Sequence, residues 1–213
     1  MRLTWTIGGA GLVLCGVTGM LQYAAFGIAS VVSITVDIVF AAAVLLFAVG
    51  LSRDASVVAR RPFGMIALAV VALWPFVVRI ERPFLPTMDA ATYDAGLVAY
   101  RSAESVLTAV SYLNLLVTLA AALIATVQIA RAGTVPTPWR WAPLWALIAS
   151  VAALVLPQLL FVFGGSTGMQ NYLASATILG ALGFLSRTLG LGILALMLAA
   201  HVAHGSVEVY RST

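Results

Sequence analysis

The chain of 213 residues contains no lysine, since all eleven of its basic residues are arginine. A retinal protein of the rhodopsin type attaches its chromophore to a lysine as a Schiff base, so this class is excluded. Cysteine occurs once, at Cys15, which excludes an intrachain disulfide and any zinc or redox centre that needs two cysteines. We expect no cofactor.

Charged residues are also scarce. They make up 8% of the chain, against roughly 25% in a typical soluble domain, while 62% of the residues are hydrophobic. A soluble fold cannot hide this much apolar surface, so the composition indicates an integral membrane protein. The formal net charge of +4 is small and gives no reason to expect nucleic acid as a partner.

Six apolar stretches are long enough to cross a bilayer, for which about 20 helical residues suffice. They predict an all-α polytopic transmembrane bundle that forms a single domain over residues 1–213, with a very short turn near Gly27 between the first two spans. Pro75 and Pro157 fall inside spans and should kink them. The predicted spans are residues 5–26, 28–52, 63–80, 102–130, 142–163 and 172–200.

The arginines are distributed unequally between the loops on the two sides of these spans. Positively charged loops remain in the cytoplasm, so the distribution predicts a multi-pass protein of the inner (plasma) membrane with both termini cytoplasmic. The cytoplasmic arginines would be Arg2, Arg53, Arg60, Arg61, Arg131, Arg140 and Arg211, and the outer ones Arg79, Arg82 and Arg101.

Two charges, Asp37 and Arg187, fall near the middle of predicted spans. A charge at this depth costs about 2.5–3.5 kcal/mol on the insertion scale, so neither residue should face lipid alone. We expect the two to face one another or a shared wet cavity. Such a pair could be a functional ligand site or proton relay, or an ion pair that only fixes the register of the helices.

The fourth span is the most polar. Its side chains could line a hydrophilic cavity, or they could bond carbonyls of their own helix and attach neighbouring helices. A glutamine beside Pro157 in the fifth span could face the same interior. The candidate cavity residues are Glu104, Ser111, Asn114, Thr118 and Gln158.

A cluster of charges lies around the predicted outer loop. Carboxylates in such a cluster could act as acid and base or hold a divalent ion. The alternative is a solvated rim that contains a local helical pair between Arg101 and Glu104. The members of this outer charged rim are Arg79, Glu81, Arg82, Asp89, Asp94 and Arg101.

Residues typical of catalytic and metal sites are few. His201 and His204 stand one helical turn apart with only Glu208 nearby, which is too small a ligand set for a metal. Ser166 lies in a Gly-x-Ser-x-Gly segment, but the predicted topology places it about 30 Å from His201, too far for a dyad. We therefore predict no catalytic residue and no metal site.

Two short patterns carry a resemblance. They are VLLFAVGLSR at residues 44–53 and GFLSR at residues 183–187. In these and in its overall plan, the chain resembles the uncharacterised six-helix inner-membrane families of GC-rich bacteria. The resemblance implies a helical inner-membrane protein and no particular activity.

Three functional hypotheses are compatible with this reading. The first is a small transporter, channel or binding protein for a small or lipophilic molecule, indicated by Asp37, Arg187 and the polar fourth span. The second is a non-catalytic subunit or scaffold that forms a homo-oligomer or docks on a partner membrane protein. The third is a membrane-embedded enzyme acting on a lipid or isoprenoid, although the residues favour a protein that is not an enzyme.

Overall fold

A computed structural model describes residues 2–24, 29–52, 55–94, 96–135, 137, 139–163 and 168–208. Side chains are described in these ranges except at positions 22–24, 29–30, 91, 161, 168–171 and 202–208. The predicted turn at Gly27, the side chain of His204, and Ser166 with most of its glycine-rich segment lie outside the described residues.

The described residues are helical apart from short connections. Pro62 opens the third helix, where the missing N–H of proline removes no bond. Gly133, in the left-handed conformation at φ 68°, ends the fifth. The helices are α1 (Arg2–Ala24), α2 (Ala29–Val49), α3 (Pro62–Glu81), α4 (Ala90–Asp94), α5 (Leu97–Ala132), α6 (Ala142–Phe163), α7 (Gly168–Leu185) and α8 (Leu191–Glu208), with 3₁₀ turns at Arg82–Phe84 and Trp139–Trp141 and a π turn at Ser186–Gly190 between α7 and α8.

Six of the described helical segments are long and apolar enough to span a membrane, with α7, the π turn and α8 forming one of them. In each segment, between 11% and 44% of the most apolar 18-residue stretch is buried. More than half of each stretch is therefore partly or fully exposed. Large side chains such as Ile66, Leu116 and Val162 point outward. Apolar surface exposed on this scale is typical of a multi-pass membrane protein and not of a soluble monomer. The prediction of an all-helical chain with six segments long and apolar enough to cross a membrane is confirmed for the described residues.

The helices do not pack in the order of the chain. α1 packs against both α2 and α8, α2 packs against α3, and α3 packs against α5. On the other side of α1, α7 packs against α6, and α5 meets α6 less extensively. The order across the bundle is therefore α5, α3, α2, α1, then α8 with α7, then α6.

The segment between α2 and α3 closes one end of the bundle. Ser56 in this segment is fully buried, and its hydroxyl donates to the backbone oxygen of Ala48 at 2.6 Å. The hydroxyl of Thr134, which follows α5, donates to the backbone oxygen of Val57 at 2.8 Å. These bonds hold the segment against α2 and α5 at the end where α1 begins and α8 ends, which we call the terminal end.

The main cluster of buried apolar side chains lies towards the same end. It joins the start of α1, the second half of α2, the first half of α3, the last turns of α5 and the first half of α8. Its members include Trp5, Ala48, Val57, Val58, Ala67, Leu68, Ala125, Ile129, Leu198 and Ala199. We call the opposite end, where α4 lies, the α4 end.

Glycines allow α1 to approach its neighbours closely. A Cβ atom on Gly9 would lie 2.9 Å from the backbone oxygen of Gly192 in α8, and one on Gly192 would lie 2.9 Å from the backbone oxygen of Gly9. On another face of α1, a Cβ on Gly8 would meet the ring of Phe47 in α2 at 2.7 Å. Small residues thus serve backbone packing within this chain, as they commonly do between membrane helices.

Candidate functional site

Two polar contacts attach the last turn of α3 to its neighbours at the α4 end. Arg79 binds α2, and Glu81, two residues later, binds α5. Residues two apart on a helix point in roughly opposite directions, so one turn of α3 reaches both adjacent helices. Both α3 residues were predicted to belong to the outer charged rim. Arg79 contacts Asp37, a predicted buried charge, and Glu81 contacts Asn114, a predicted cavity residue.

The contact with α2 is an ion pair. Nη2 of Arg79 lies 2.5 Å from Oδ2 of Asp37 and donates a second hydrogen bond to the hydroxyl of Ser33 at 2.8 Å. Ser33 and Asp37 are four residues apart and share a face of α2. Both charged side chains are partly buried, with exposed fractions of 37% for Arg79 and 24% for Asp37. A charge-assisted pair of this kind links the two helices firmly.

The structure pairs the carboxylate of Asp37 with Arg79, a partner that the sequence did not indicate. That Asp37 and Arg187 face one another or a shared wet cavity stays a prediction. The sequence analysis placed Arg79 on the outer rim from the position of its backbone near the end of the span. Side chains on a helix lean towards its N-terminus. A long arginine near the C-terminal end of α3 therefore reaches back into the bundle, where it meets Asp37.

Arg187 lies in the π turn between α7 and α8, and its guanidinium stacks over the ring of Phe184 at 5.6 Å from the centroid. Asp37 and Arg187 nevertheless both act electrostatically on one residue of α1. Cys15, which is buried and donates to the backbone oxygen of Val36 at 3.7 Å, lies within electrostatic range of both charges. Both charges therefore lie near the same residue of α1.

The contact with α5 is a hydrogen bond between two side chains. The amide nitrogen Nδ2 of Asn114 donates to Oε1 of Glu81. A carboxylate accepts but does not donate, so the amide must turn its NH₂ group towards Glu81. Oδ1 of Asn114 is then buried without a partner among the described residues, a condition that costs about 1–3 kcal/mol.

Beside this bond lies a cavity of about 280 Å³ between α3, α5 and the segment that joins α3 to α4. Apolar side chains form one part of its wall, and polar or charged groups form the other. The residues that line it are Val78, Glu81, Arg82, Leu85, Pro86, Thr87, Leu107, Val110, Ser111 and Asn114. We call it the α4-end cavity.

Of the predicted cavity residues, Ser111 and Asn114 line the α4-end cavity. Glu104, Thr118 and Gln158 are not among its lining residues. Seventeen residues of α5 precede Asn114, which corresponds to about 25 Å of helix beyond the level of Glu81. The start of α5, with Arg101 and Glu104 exposed, therefore extends past the end of α3.

Asp89 serves the local structure of the outer segment. It precedes α4, and its Oδ1 accepts the backbone N–H and the hydroxyl of Thr92, both at 2.9 Å. Its Oδ2 accepts the hydroxyl of Thr87, also at 2.9 Å. The backbone N–H of Thr92 and these hydroxyls hold the pKa of Asp89 below its ordinary value of 3.8. Asp89 is thus a helix cap, a role that the Asp-x-x-Thr spacing could have indicated.

The cap gives a pH-dependent expectation. Because the folded-state pKa of Asp89 is lowered, its contribution to stability is present above the ordinary pKa and is lost as pH falls through the lowered pKa. At pH 7, Asp89→Ala should speed hydrogen–deuterium exchange in residues 90–94, and this difference from the wild type should shrink below pH 3.8. Exchange measured by mass spectrometry tests both statements.

Asp94→Ala is the matched control, because Asp94 is an exposed carboxylate at the opposite end of the same helix. Negative charge is unfavourable at a helix C-terminus, so this variant should slow exchange slightly or leave it unchanged. Equal acceleration in both variants would contradict the capping role of Asp89.

The remaining carboxylates of the outer rim do not converge. Asp94 and Glu104 are exposed, and Glu81 faces Asn114. His201 is exposed in the last helix. Within the described residues, no group of three or more His, Cys, Asp or Glu side chains is placed to hold a metal ion.

Comparison with known proteins adds no assignment. Neither a family model, nor a curated protein, nor a solved structure matches the chain. Its resemblance to six-helix inner-membrane families therefore stays a prediction, and function has to be argued from the α4-end cavity and the charges around it.

Proposed function

We propose that this protein binds a small molecule at the α4-end cavity, as a small transporter or binding protein of the bacterial inner membrane. The observation that carries the proposal is the cavity itself, about 280 Å³ in volume and lined by Glu81, Ser111 and Asn114 in a chain of which 62% of the residues are hydrophobic. Polar and charged groups in membrane segments are costly, and they commonly mark substrate pathways.

The distribution of packing supports a site that opens towards one side. The terminal end is filled by the main apolar cluster and closed by the segment between α2 and α3, which Ser56 holds in place. The α4 end carries the cavity and the ion pair between Asp37 and Arg79. A bundle packed by apolar side chains at one end, with a polar cavity at the other, suits a binding site that is open to one compartment.

The arginine distribution orients this arrangement. With both termini in the cytoplasm, the terminal end faces inward and the α4-end cavity faces outward. In this orientation the protein would accept its ligand from the outer side of the membrane, and lipid would cover the exposed apolar faces.

The cavity can be tested by filling it. Small molecules that raise the melting temperature of the purified protein in detergent should lose this effect in Ser111→Trp, because the indole would occupy the space that Ser111 lines. A thermal-shift screen of water-soluble metabolites, with native mass spectrometry for ligands retained during purification, supplies the compounds.

Thr108→Trp is the matched control. Thr108 is an exposed hydroxyl residue one turn earlier on α5 and does not line the cavity, so ligands should stabilise this variant as they stabilise the wild type. Ligands that stabilise Ser111→Trp undiminished would show that the cavity is not the binding site. A screen and a mass spectrum without any ligand would count against the proposed function as a whole.

A further inference from the structure

We propose that the α4-end cavity selects a small molecule that carries a primary ammonium group on a short apolar chain, with Glu81 as the residue that binds the ammonium. The inference rests on the proposed function, since it names the ligand class of the same cavity. It follows from the charge, the hydrogen-bonding state and the composition of the cavity wall.

Glu81 brings a carboxylate to the wall. Among the described residues, the ion pair joins Asp37 to Arg79, and Glu81 takes part in none. Asn114 occupies Oε1 of Glu81, and no described residue donates to Oε2. A carboxylate in this state, partly buried beside apolar side chains, attracts a cation that can donate hydrogen bonds.

A second oxygen of the wall also favours a donor. The hydroxyl of Thr87 already donates to Asp89, so its oxygen is left to accept. An ammonium group has three donors and no acceptor, which complements the oxygens of Glu81 and Thr87.

The rest of the wall sets the character of the remaining part of the ligand. Val78, Leu85, Pro86, Leu107 and Val110 offer apolar contacts on both α3 and α5. An alkyl chain of a few carbon atoms would bury its surface against them.

Arg82 lines the same cavity with an exposed guanidinium, which opposes a simple cation and would favour a ligand that also carries a carboxylate. Its position allows the experiment to separate an amine from an amino acid.

Four probes with the same chain length test the assignment: n-butylamine hydrochloride, n-butanol, sodium n-butyrate and 4-aminobutyrate. Their association constants with the purified full-length protein in detergent are measured by titration calorimetry and by thermal shift at neutral pH. We expect the two compounds with an ammonium group to bind more tightly than butanol and butyrate. Tighter binding of 4-aminobutyrate than of butylamine would show that Arg82 receives the carboxylate, and the reverse order would show a site for simple amines.

Substitutions test whether Glu81 is the residue that binds the ammonium group. Glu81→Gln removes the charge but keeps an oxygen that can accept from Asn114, and it should weaken butylamine binding by about tenfold or more. Arg82→Gln removes the opposing charge and should strengthen butylamine binding. Glu104→Gln is the matched control, since this glutamate is exposed on α5 away from the cavity, and it should change binding by less than about twofold.

The outcomes separate this inference from the proposed function. Butanol binding as tightly as butylamine, or butylamine binding that Glu81→Gln and Arg82→Gln leave unchanged, would overturn the ammonium assignment and leave a ligand-binding cavity in place. If none of the four compounds binds and no screened compound depends on Ser111, the inference and the proposed function fail together.

Discussion

Replacing Arg79 by leucine should lower the free energy of unfolding by about 2–4 kcal/mol, because the change leaves the Asp37 carboxylate partly buried without its counter-charge. The reciprocal change Asp37→Leu strands the guanidinium and should cost a similar amount. The double variant leaves neither charge exposed to an apolar environment, and it should recover most of the loss. Denaturant unfolding of the purified protein in mixed micelles measures the free energy of unfolding of the two single variants and the double variant.

Arg101→Leu is the control for this series. Arg101 is exposed near the start of α5, and its replacement should change the unfolding free energy by less than about 0.5 kcal/mol. Additive losses from Arg79→Leu and Asp37→Leu would mean that the two side chains do not interact, and the ion pair would then have to be abandoned. If the pair also shapes the binding site, the double variant will fold normally but bind ligands more weakly.

Gly192→Ala should destabilise the protein by about 2–3 kcal/mol, because the new methyl group has no room between α1 and α8. Its Cβ would lie 2.9 Å from the backbone oxygen of Gly9 and 2.9 Å from the backbone nitrogen of Val13. Both contacts are with backbone, which cannot turn aside as a side chain can, so the two helices would have to separate. The midpoint of denaturant unfolding reports the loss.

Gly180→Ala is the same substitution in the adjoining helix α7, at a position where a Cβ atom would meet nothing within 4 Å. Alanine is the better helix former by about 1 kcal/mol, so this variant should be as stable as the wild type or more stable. Equal losses at the two positions would show that the effect of Gly192→Ala arises from the helix backbone and not from the contact between α1 and α8.

The secondary structure could be predicted from the sequence because the bilayer imposes strong and simple constraints. A spanning helix needs about 20 apolar residues, and backbone groups in lipid must bond within the helix. The predicted boundaries accordingly lie close to those of α2, α3 and α6. They differ at α5, which begins at Leu97, because the helix continues past the level of Glu81 through polar residues, where hydropathy does not mark its end.

The candidate site was only partly predictable. Asp37, Glu81, Ser111 and Asn114 were all identified as polar residues of interest, since a polar side chain in or near a span has few roles. Which of these residues lie together could not be predicted, because the sequence holds no information on which helices are adjacent. The bond between Glu81 and Asn114 requires α3 to pack against α5, and that choice is made by the packing of the two helices along the length that they share.

The partner of Asp37 shows most clearly what the sequence predicts and what depends on the packing of the helices. Composition and the length of apolar runs by themselves determined that this chain is a membrane bundle with an acidic residue inside, which must find a counter-charge. The sequence indicated Arg187 for this role and placed Arg79 on the outer rim. The tertiary structure brings Arg79 to Asp37, because α2 lies beside α3 and the side chain of Arg79 leans back towards the N-terminus of its helix and into the bundle.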